Sequence, residues 1–259
     1  MNVSAQGTKY GYSRRHRAGE IASILGVFGL LVAFGVRIGQ TIDSRMGWVA
    51  LGSTIFVAYL ASDVVSGLVH WAGDTIGDEK VPFLGPNFVR PFREHHVDQK
   101  DIARHDFIET NGNNCIVVIG PLALAFLLLP SHLGGGFFAA TLIAFLSLFV
   151  VATNQFHKWA HTDDPPRVVR ILQSMGLILS PAHHQKHHAV PHDRHYCITV
   201  GWMNPVLNGI RFFRGLEWLV ARFRPTWLHL EERTRYAAER LAAARNEAAA
   251  GTSGRSTSS

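Results

Sequence analysis

The chain is poor in charged residues and in cysteine. Only 17% of its 259 residues are Asp, Glu, Lys or Arg, and the 48 residues from 110 to 157 include none of these four. Charge-free runs of this length are rare in soluble proteins, which argues against a soluble all-helical bundle. The two cysteines, Cys115 and Cys197, match no Cys-x-x-Cys spacing. We therefore expect buried thiols rather than metal ligands or a disulfide.

The apolar residues predict four membrane-spanning helices. A span needs roughly 20 residues, and the turn sequence at 130–136 divides the charge-free run into spans at about 114–129 and 137–155. Two further apolar segments, about 19–36 and 47–69, precede it. The predicted fold is an all-α integral membrane protein with four transmembrane helices and a histidine-rich di-metal cap.

The rest of the chain divides into a membrane domain and flanking parts. Residues 1–18 are basic, 19–225 form the membrane domain, 226–250 predict an Ala/Glu/Arg-rich helix, and 251–259 predict a disordered tail. Ser13-Arg14-Arg15 is similar to a twin-arginine export signal but lacks the apolar residues that should follow. We therefore expect the first span to be a retained anchor.

Basic residues predict the orientation in the membrane. With four spans, only Arg37 and Arg45 of the 25 Lys and Arg residues lie on one side, and the other 23 lie on the opposite side. By the positive-inside rule the second side is the cytoplasm, where both termini also lie; in a bacterium this means the inner membrane. Of the 15 histidines, all but His132 fall on the cytoplasmic side.

The cytoplasmic histidines are spaced as metal ligands. Neutral imidazole binds transition metals, and histidines three or four positions apart share one face of a helix. Such pairs occur in residues 157–161 and in residues 183–188, the densest group. The predicted ligands are His70, His95, His96, His157, His161, His184, His187 and His188.

The number of these histidines favours two metal ions. One ion takes about four to six ligands, fewer than the eight available. The adjacent His95 and His96 point in different directions on a helix, so they serve two metals or one of them is a spectator. Two close iron ions can activate dioxygen and remove hydrogen from an unactivated alkyl chain, whereas a closed zinc site cannot.

Asp63 is an ionisable residue inside the second predicted span. It shares one helix stripe with Ser66, His70 and Asp74. Because a charge in hydrocarbon is costly, we expect Asp63 to face a polar cavity or a partner; an interhelical hydrogen bond is the alternative. Residues 168–179 are too short to span and predict an interfacial or re-entrant helix.

Six stretches of the chain together resemble the plasmanylethanolamine desaturase family. This Kua/CarF-type group also includes plant desaturases that act on phosphatidylglycerol. The stretches are residues 62–74, 92–96, 104–112, 180–188, 196–198 and 201–204. The resemblance extends over roughly residues 45–220, and its motifs are specific in combination rather than singly.

The resemblance implies a histidine-ligated di-iron membrane enzyme. Such an enzyme uses O2 and two electrons to convert the sn-1 alkyl ether of an ethanolamine phospholipid into the vinyl ether of a plasmalogen. The eight histidines would carry catalysis through two bound iron ions, with His183 as a further metal ligand. Asp74, His105 and His192 fall in matching stretches and would be ligands or partners that orient imidazoles.

The basic composition indicates which partners could bind the cytoplasmic face. With a pI of about 9.7, the cytoplasmic face favours an acidic electron donor such as a ferredoxin or cytochrome b5, or anionic lipid head groups. We expect no nucleic-acid partner. Arg90, Arg93, Lys158 and Arg167 are candidates for lipid phosphate contacts and equally for positive-inside anchors.

Three other functions remain open at this point. An acyl-lipid desaturase or hydroxylase would use the same scaffold. A metal transporter would distribute histidines and carboxylates along a path at mid-membrane, but here only Asp63 is deep. A haem-binding cytochrome b would pair histidines across the bilayer, and the outer side offers only His132.

Overall fold

The computed structural model describes residues 13–82 and 85–230, with positions 238 and 242. Its α-helices are α1 (Arg14–Thr41), α2 (Arg45–Thr75), α3 (Arg90–Val97), α4 (Asp101–Arg104), α5 (Phe107–Leu127), α6 (Gly135–Ala160), α7 (Arg167–Ser174), α8 (Pro181–His184), α9 (Asn204–Gly209) and α10 (Phe212–Phe223). A π-helical turn, Gly85–Val89, precedes α3, and a 3-10 turn, Pro225–Trp227, follows α10.

Four of these helices, α1, α2, α5 and α6, are long and apolar enough to cross a membrane. The prediction of an all-helical protein with four such helices is confirmed. Three of the four, α1, α2 and α5, begin earlier than the predicted apolar segments because polar side chains cap their first turns. Ser13 accepts a hydrogen bond from the His16 N–H, and Asp106 accepts one from the Glu109 N–H.

The long helices pack in the order α1, α5, α6, α2. Buried side chains between them, including Val27, Phe34, Leu122 and Phe137, form the main apolar core. Large apolar side chains also cover the outer faces of these helices: Val32 is 68% exposed and Val117 is 71% exposed. Such faces suit contact with lipid, which does not penalise apolar surface.

Close packing near one end and hydrogen bonds near the other hold α1 against α5. A Cβ atom on Gly112 would lie 2.5 Å from the Glu20 Cβ, so the two helices meet where α5 has no side chain. At the other end, the Arg37 guanidinium donates to the carbonyl oxygens of Phe126 (3.2 Å) and Leu129 (2.7 Å). A cation there interacts favourably with the carbonyl groups at the end of α5.

The shorter helices and their loops form a cap at one end of the bundle, where α2 and α6 end and α1 and α5 begin. α7 covers residues 168–174 of the predicted interfacial helix 168–179. The predicted C-terminal helix (226–250) and tail (251–259), like most of the basic segment 1–18, fall almost wholly outside the described residues.

Candidate metal centre

Four segments of the chain bring histidines to the cap end of the bundle. Local sequence explains their positions: Asp163-Asp164-Pro165-Pro166 follows α6, while the Ser180 side chain caps α8 and Pro181 occupies its first turn. The residues delivered are His70 and Asp74 on α2, His95 and His96 on α3, His157 and His161 at the end of α6, and His184, His187 and His188 at and after α8.

Five imidazoles form the first ligand group, with one ligand atom from each lying within 4.8 Å of all the others; they belong to His95, His157, His161, His184 and His188. The His157 Nε2 lies 3.0 Å from the His95 Nε2 and 2.9 Å from the His184 Nε2. Two nitrogens that bind one ion at about 2.1 Å and at right angles stand about 3.0 Å apart. The observed spacing matches that geometry.

The second ligand group combines three imidazoles with one carboxylate. It consists of His70, Asp74, His96 and His187, all buried. The Asp74 carboxylate oxygens lie 3.1 Å from the His96 Nε2, 3.4 Å from the His187 Nε2 and 3.6 Å from the His70 Nε2. Asp74 is therefore a member of this ligand group. The resemblance had implied it as a ligand or an orienting partner.

The two groups adjoin. A third set of ligand atoms, from His96, His188 and His192, takes one member from each group. The ring centroids of His96 and His188 are 5.2 Å apart. The neighbours His95 and His96 therefore lie in different groups, an arrangement that would allow them to serve two metals, one of the two alternatives that the sequence left open.

Burial favours the neutral form of four histidines of the cap. Removal from water lowers the pKa of His95, His184 and His188 well below the ordinary histidine value, and the neighbouring imidazoles lower it further. Burial likewise lowers the pKa of His192 to about 3. A metal ion binds the nitrogen lone pair of a neutral imidazole, and protonation removes that lone pair.

Hydrogen bonds to backbone carbonyls orient two of the histidines. The His187 Nδ1 lies 2.9 Å from the Arg194 carbonyl oxygen, and the His192 Nδ1 lies 3.2 Å from the His187 carbonyl oxygen. With Nδ1–H as donor, each Nε2 lone pair is directed into the centre. The Tyr196 hydroxyl donates to the His192 carbonyl at 3.0 Å, and its ring lies 5.1 Å from the His187 ring. Tyr196 is a supporting residue that histidine spacing did not single out.

Two predicted histidines lie outside the three sets. The His183 Nε2 is 3.0 Å from the Asn204 Nδ2, and the ring lies against Gly201, where φ is +85° and a Cβ would approach within 2.5 Å. The His105 Nε2 is 3.3 Å from an Asp101 oxygen, on the outer part of the cap. Although His183 adjoins the ligand candidate His184 in the chain, its side chain lies outside the ligand groups, as does that of His105.

Two of the four basic residues predicted to contact lipid phosphate instead bind groups within the protein. Arg93 is 1% exposed, donates to the Gly77 carbonyl at 2.9 Å and faces Glu79. Lys158 donates to the His105 carbonyl oxygen. The remaining two differ: Arg90 is half-buried and Arg167 is exposed.

Asp63 binds backbone rather than metal. Its Oδ1 accepts from the N–H groups of Thr199 (3.2 Å), Val200 (3.0 Å) and Gly201 (2.9 Å), and its Oδ2 accepts from that of Met203 (2.9 Å). The expectation of a polar partner is therefore met by a loop rather than by a side chain on another helix. Only the tertiary structure identifies this loop, which lies more than a hundred positions away.

The donor set fits transition-metal ions. The groups offer imidazole nitrogens and one carboxylate, a combination that suits iron, copper, nickel or zinc. Two buried nitrogens, the Nε2 atoms of His187 and His192, have no hydrogen-bond partner within the described parts of the chain. Buried polar atoms without a partner are costly, and a bound ion would satisfy them.

Comparison with known proteins gives consistent matches. The family model described as "Lipid desaturase domain" matches residues 59–225. The protein named "Plasmanylethanolamine desaturase" from Myxococcus xanthus is 49% identical over 216 residues, covering 83% of this chain and 76% of that protein. "Plasmanylethanolamine desaturase 1" from Mus musculus is 45% identical over 166 residues, covering 62% of this chain and 61% of the mouse protein.

A plant protein is a more distant relative. "Fatty acid desaturase 4, chloroplastic" from Arabidopsis thaliana is 37% identical over 168 residues, covering 62% of this chain and 49% of that protein. No solved structure matches the chain.

Proposed function

Because this chain belongs to the lipid desaturase domain family, and is therefore a membrane-bound oxidoreductase, we propose that it converts the sn-1 alkyl ether of an ethanolamine phospholipid into a vinyl ether. The observation that carries the proposal is the pair of adjoining, buried ligand groups at one end of four apolar helices. The names of the bacterial and mouse relatives support this substrate.

We propose two iron ions as the resident metals and O2 as the co-substrate. Iron held by imidazole supplies the redox chemistry needed to remove hydrogen from an alkyl chain. In the overall reaction the lipid loses two hydrogen atoms, an electron donor supplies two electrons, two protons come from the medium, and O2 becomes two waters.

The protein side chains have three roles in this proposal. The five imidazoles of the first group hold one ion, and His70, Asp74, His96 and His187 hold the other. The Arg194 carbonyl fixes the ring of His187 so that its lone pair faces the metal. Burial of eight of the nine ligand residues would exclude water from the carbon atoms that are oxidised.

We also propose that the cap faces the cytoplasm, because the basic residues gather on that side of the predicted spans. Exposed cationic side chains of the cap, such as Lys186, Arg194 and Arg222, form a surface for an acidic ferredoxin or cytochrome b5. The ether oxygen beside the reacting carbon stabilises electron deficiency there, which favours oxidation at that position.

Lipid analysis tests the substrate. The protein would be expressed in cells that contain alkyl-ether ethanolamine phospholipid but no plasmalogen. We expect an acid-labile vinyl-ether lipid in cells with the wild-type protein and none with His187→Ala. His105→Ala, outside the ligand sets, is the matched histidine control and retains the product. Absence of vinyl ether in wild-type cells, with protein and ether lipid both present, would refute this substrate.

The plant relative favours one rival within the same enzyme class. Its name says that it is a fatty acid desaturase, so the rival reaction introduces a double bond into an acyl chain. The same lipid extracts distinguish the two reactions, since the rival yields a new unsaturated fatty acid after ester hydrolysis. Metal analysis separates both from a cytochrome b: two irons per chain without a haem spectrum supports the desaturase.

A further inference from the structure

The loops around the metal centre reach far down α2. The Tyr59 hydroxyl donates to the Leu177 carbonyl oxygen, and the Tyr59 ring lies 5.8 Å from the Trp202 ring. The two loops pair with each other there, because the Leu179 N–H donates to the Thr199 carbonyl at 3.1 Å. At 1.5 Å per residue, Tyr59 lies about 24 Å along the helix axis from Thr75, where α2 ends.

That depth lies inside the hydrocarbon of a bilayer. The hydrocarbon core is about 30 Å thick and takes about 20 helical residues. Counted from Gly47, where the apolar part of α2 begins, the core ends near Gly67. Tyr59 and Asp63 fall within it, whereas His70 lies about one turn beyond it.

The backbone of these loops is satisfied as a bilayer requires. Non-helical backbone at membrane depth persists only where protein groups replace water as hydrogen-bond partners. Besides the four N–H groups that bind Asp63, the Ile198 N–H donates to the Ser66 Oγ at 3.0 Å. Asn204 pairs with both the N–H and the carbonyl of Cys197, each at 2.9 Å. A loop in water would not need these protein partners.

The outer face of the same region is apolar. Trp202, Val206 and Ile210 are 41%, 52% and 67% exposed, and we call them the cap face. Trp202 contacts Tyr59 on α2, so the cap face continues the lipid-facing surface of the spans.

After the cap face, the chain runs along α2 towards the C-terminal end of that helix. The ring of Phe213 lies 6.5 Å from that of Trp71, and the His229 N–H donates to the Thr75 carbonyl at 3.0 Å. On α10, the exposed Trp218 stands between Arg214 and Arg222 on the helix surface. Tryptophan among arginines is characteristic of the membrane–water boundary.

We propose that residues 177–180 and 197–210, on either side of the histidine cluster, dip into the lipid leaflet as re-entrant loops, and that lipid acyl chains cover the cap face. The metal centre then lies at the level of the glycerol backbone rather than above the membrane. One consequence rests on the proposed function: the chain carbons next to the glycerol meet the ligand groups without the lipid leaving the bilayer.

Cysteine labelling tests the depth without requiring activity. Cys115 and Cys197 are buried, so Val206→Cys and Ile210→Cys each introduce one accessible thiol. Val57→Cys, on the outer face of α2 and 50% exposed, is the lipid control. Asp164→Cys, where the native side chain is 87% exposed beyond α6, is the aqueous control. All variants would be measured in phospholipid nanodiscs, which expose both faces of the bilayer.

A membrane-impermeant maleimide reacts with thiolate in water. We expect Val206→Cys and Ile210→Cys to react at least about tenfold more slowly than Asp164→Cys. A rate closer to that of Asp164→Cys than to that of Val57→Cys would overturn the proposal. Retained iron content confirms that each variant is folded.

A second measurement uses a bimane fluorophore on the Ile210→Cys thiol, attached in detergent before reconstitution. Lipids with a nitroxide on the acyl chain should quench it more strongly than lipids with a nitroxide on the head group, and the reverse order contradicts the proposal. If labelling shows a buried cap face but the protein makes no vinyl ether, the depth proposal stands and only the proposed substrate is refuted.

Discussion

Asp63 lies about 18 Å along α2 from its end and binds four backbone N–H groups. Its effect on the metal centre is indirect: the loop that it holds is continuous with Tyr196, whose ring packs against His187.

Asp63→Asn should destabilise the protein. The amide NH2 would face backbone N–H groups that need an acceptor, and unsatisfied buried donors cost about 1–3 kcal/mol each. We expect a fall of about 2–5 kcal/mol in the free energy of unfolding, together with lower iron content. Thermal unfolding in nanodiscs measures the change. Asp43→Asn, exposed at the opposite end of the bundle, is the matched control, and equal unfolding temperatures for both variants would contradict the role assigned to Asp63.

Asp74→Ala should remove metal from one group only. Asp74 is the single carboxylate of the second group, whereas the first group holds five imidazoles. Loss of an anionic ligand weakens binding at its own site most, so iron should fall from about two ions per chain to about one. Metal analysis of purified protein checks this ratio. Asp101→Ala, which removes a carboxylate paired with Arg104 outside the site, should leave the ratio unchanged; a drop there too would show that the loss is not site-specific.

Among the elements, helix α5 depends on small residues at its contacts. Its face towards α1 carries Gly112, over which Glu20 lies, whereas Gly120 on the same helix has no atom within 4 Å of where a Cβ would stand. Close approach of two helices inside a membrane relies on such small residues, because lipid provides no hydrophobic drive to pack them.

Gly112→Ala should therefore weaken the contact between α1 and α5. The added methyl group would overlap Glu20, and overpacking typically costs about 1–3 kcal/mol. Gly120→Ala adds the same methyl group where there is space, and should leave stability unchanged or raise it slightly. Comparison of their unfolding temperatures tests the packing. Tolerance of both substitutions would mean that the two helices are less closely packed than the structure has them.

On the scale of the whole molecule, the crowded neutral histidines make folding sensitive to acid. Burial lowers the pKa of His95, His184 and His188 in the folded state, while the unfolded chain protonates near pH 6.5. Below that pH the unfolded state binds more protons, so stability falls with decreasing pH. Above it both states are neutral, and these groups add no pH dependence.

Metal-free protein should therefore unfold at a lower temperature at a pH of about 5.5 than at about 7.5. The slope per histidine is up to about 1.4 kcal/mol per pH unit below 6.5. A variant with His184 and His188 both changed to Gln should show a shallower dependence. An identical slope in this variant would contradict the assignment to the buried imidazoles.

Much of this protein could be predicted from local sequence. The charge-free run and its Pro/Gly turn indicated two spans, and the spacing of His157 and His161 indicated one helix face, since both signals depend on residues near in the chain. The roles of His183 and His105 could not be read from spacing. His183 adjoins a ligand candidate and His105 falls in a stretch that resembles the family, but short helices and turns direct their side chains to Asn204 and to Asp101.

The sequence by itself determined the membrane character, the four long helices and the histidine types suited to a transition metal, because hydropathy and ligand chemistry are properties of residues and short segments. Only the tertiary structure decided how the ligands divide between the two groups, with His95 in one and His96 in the other. It also decided that Asp63 serves a loop rather than a metal. Those outcomes depend on contacts between residues far apart in the chain, which exist only once the helices have packed.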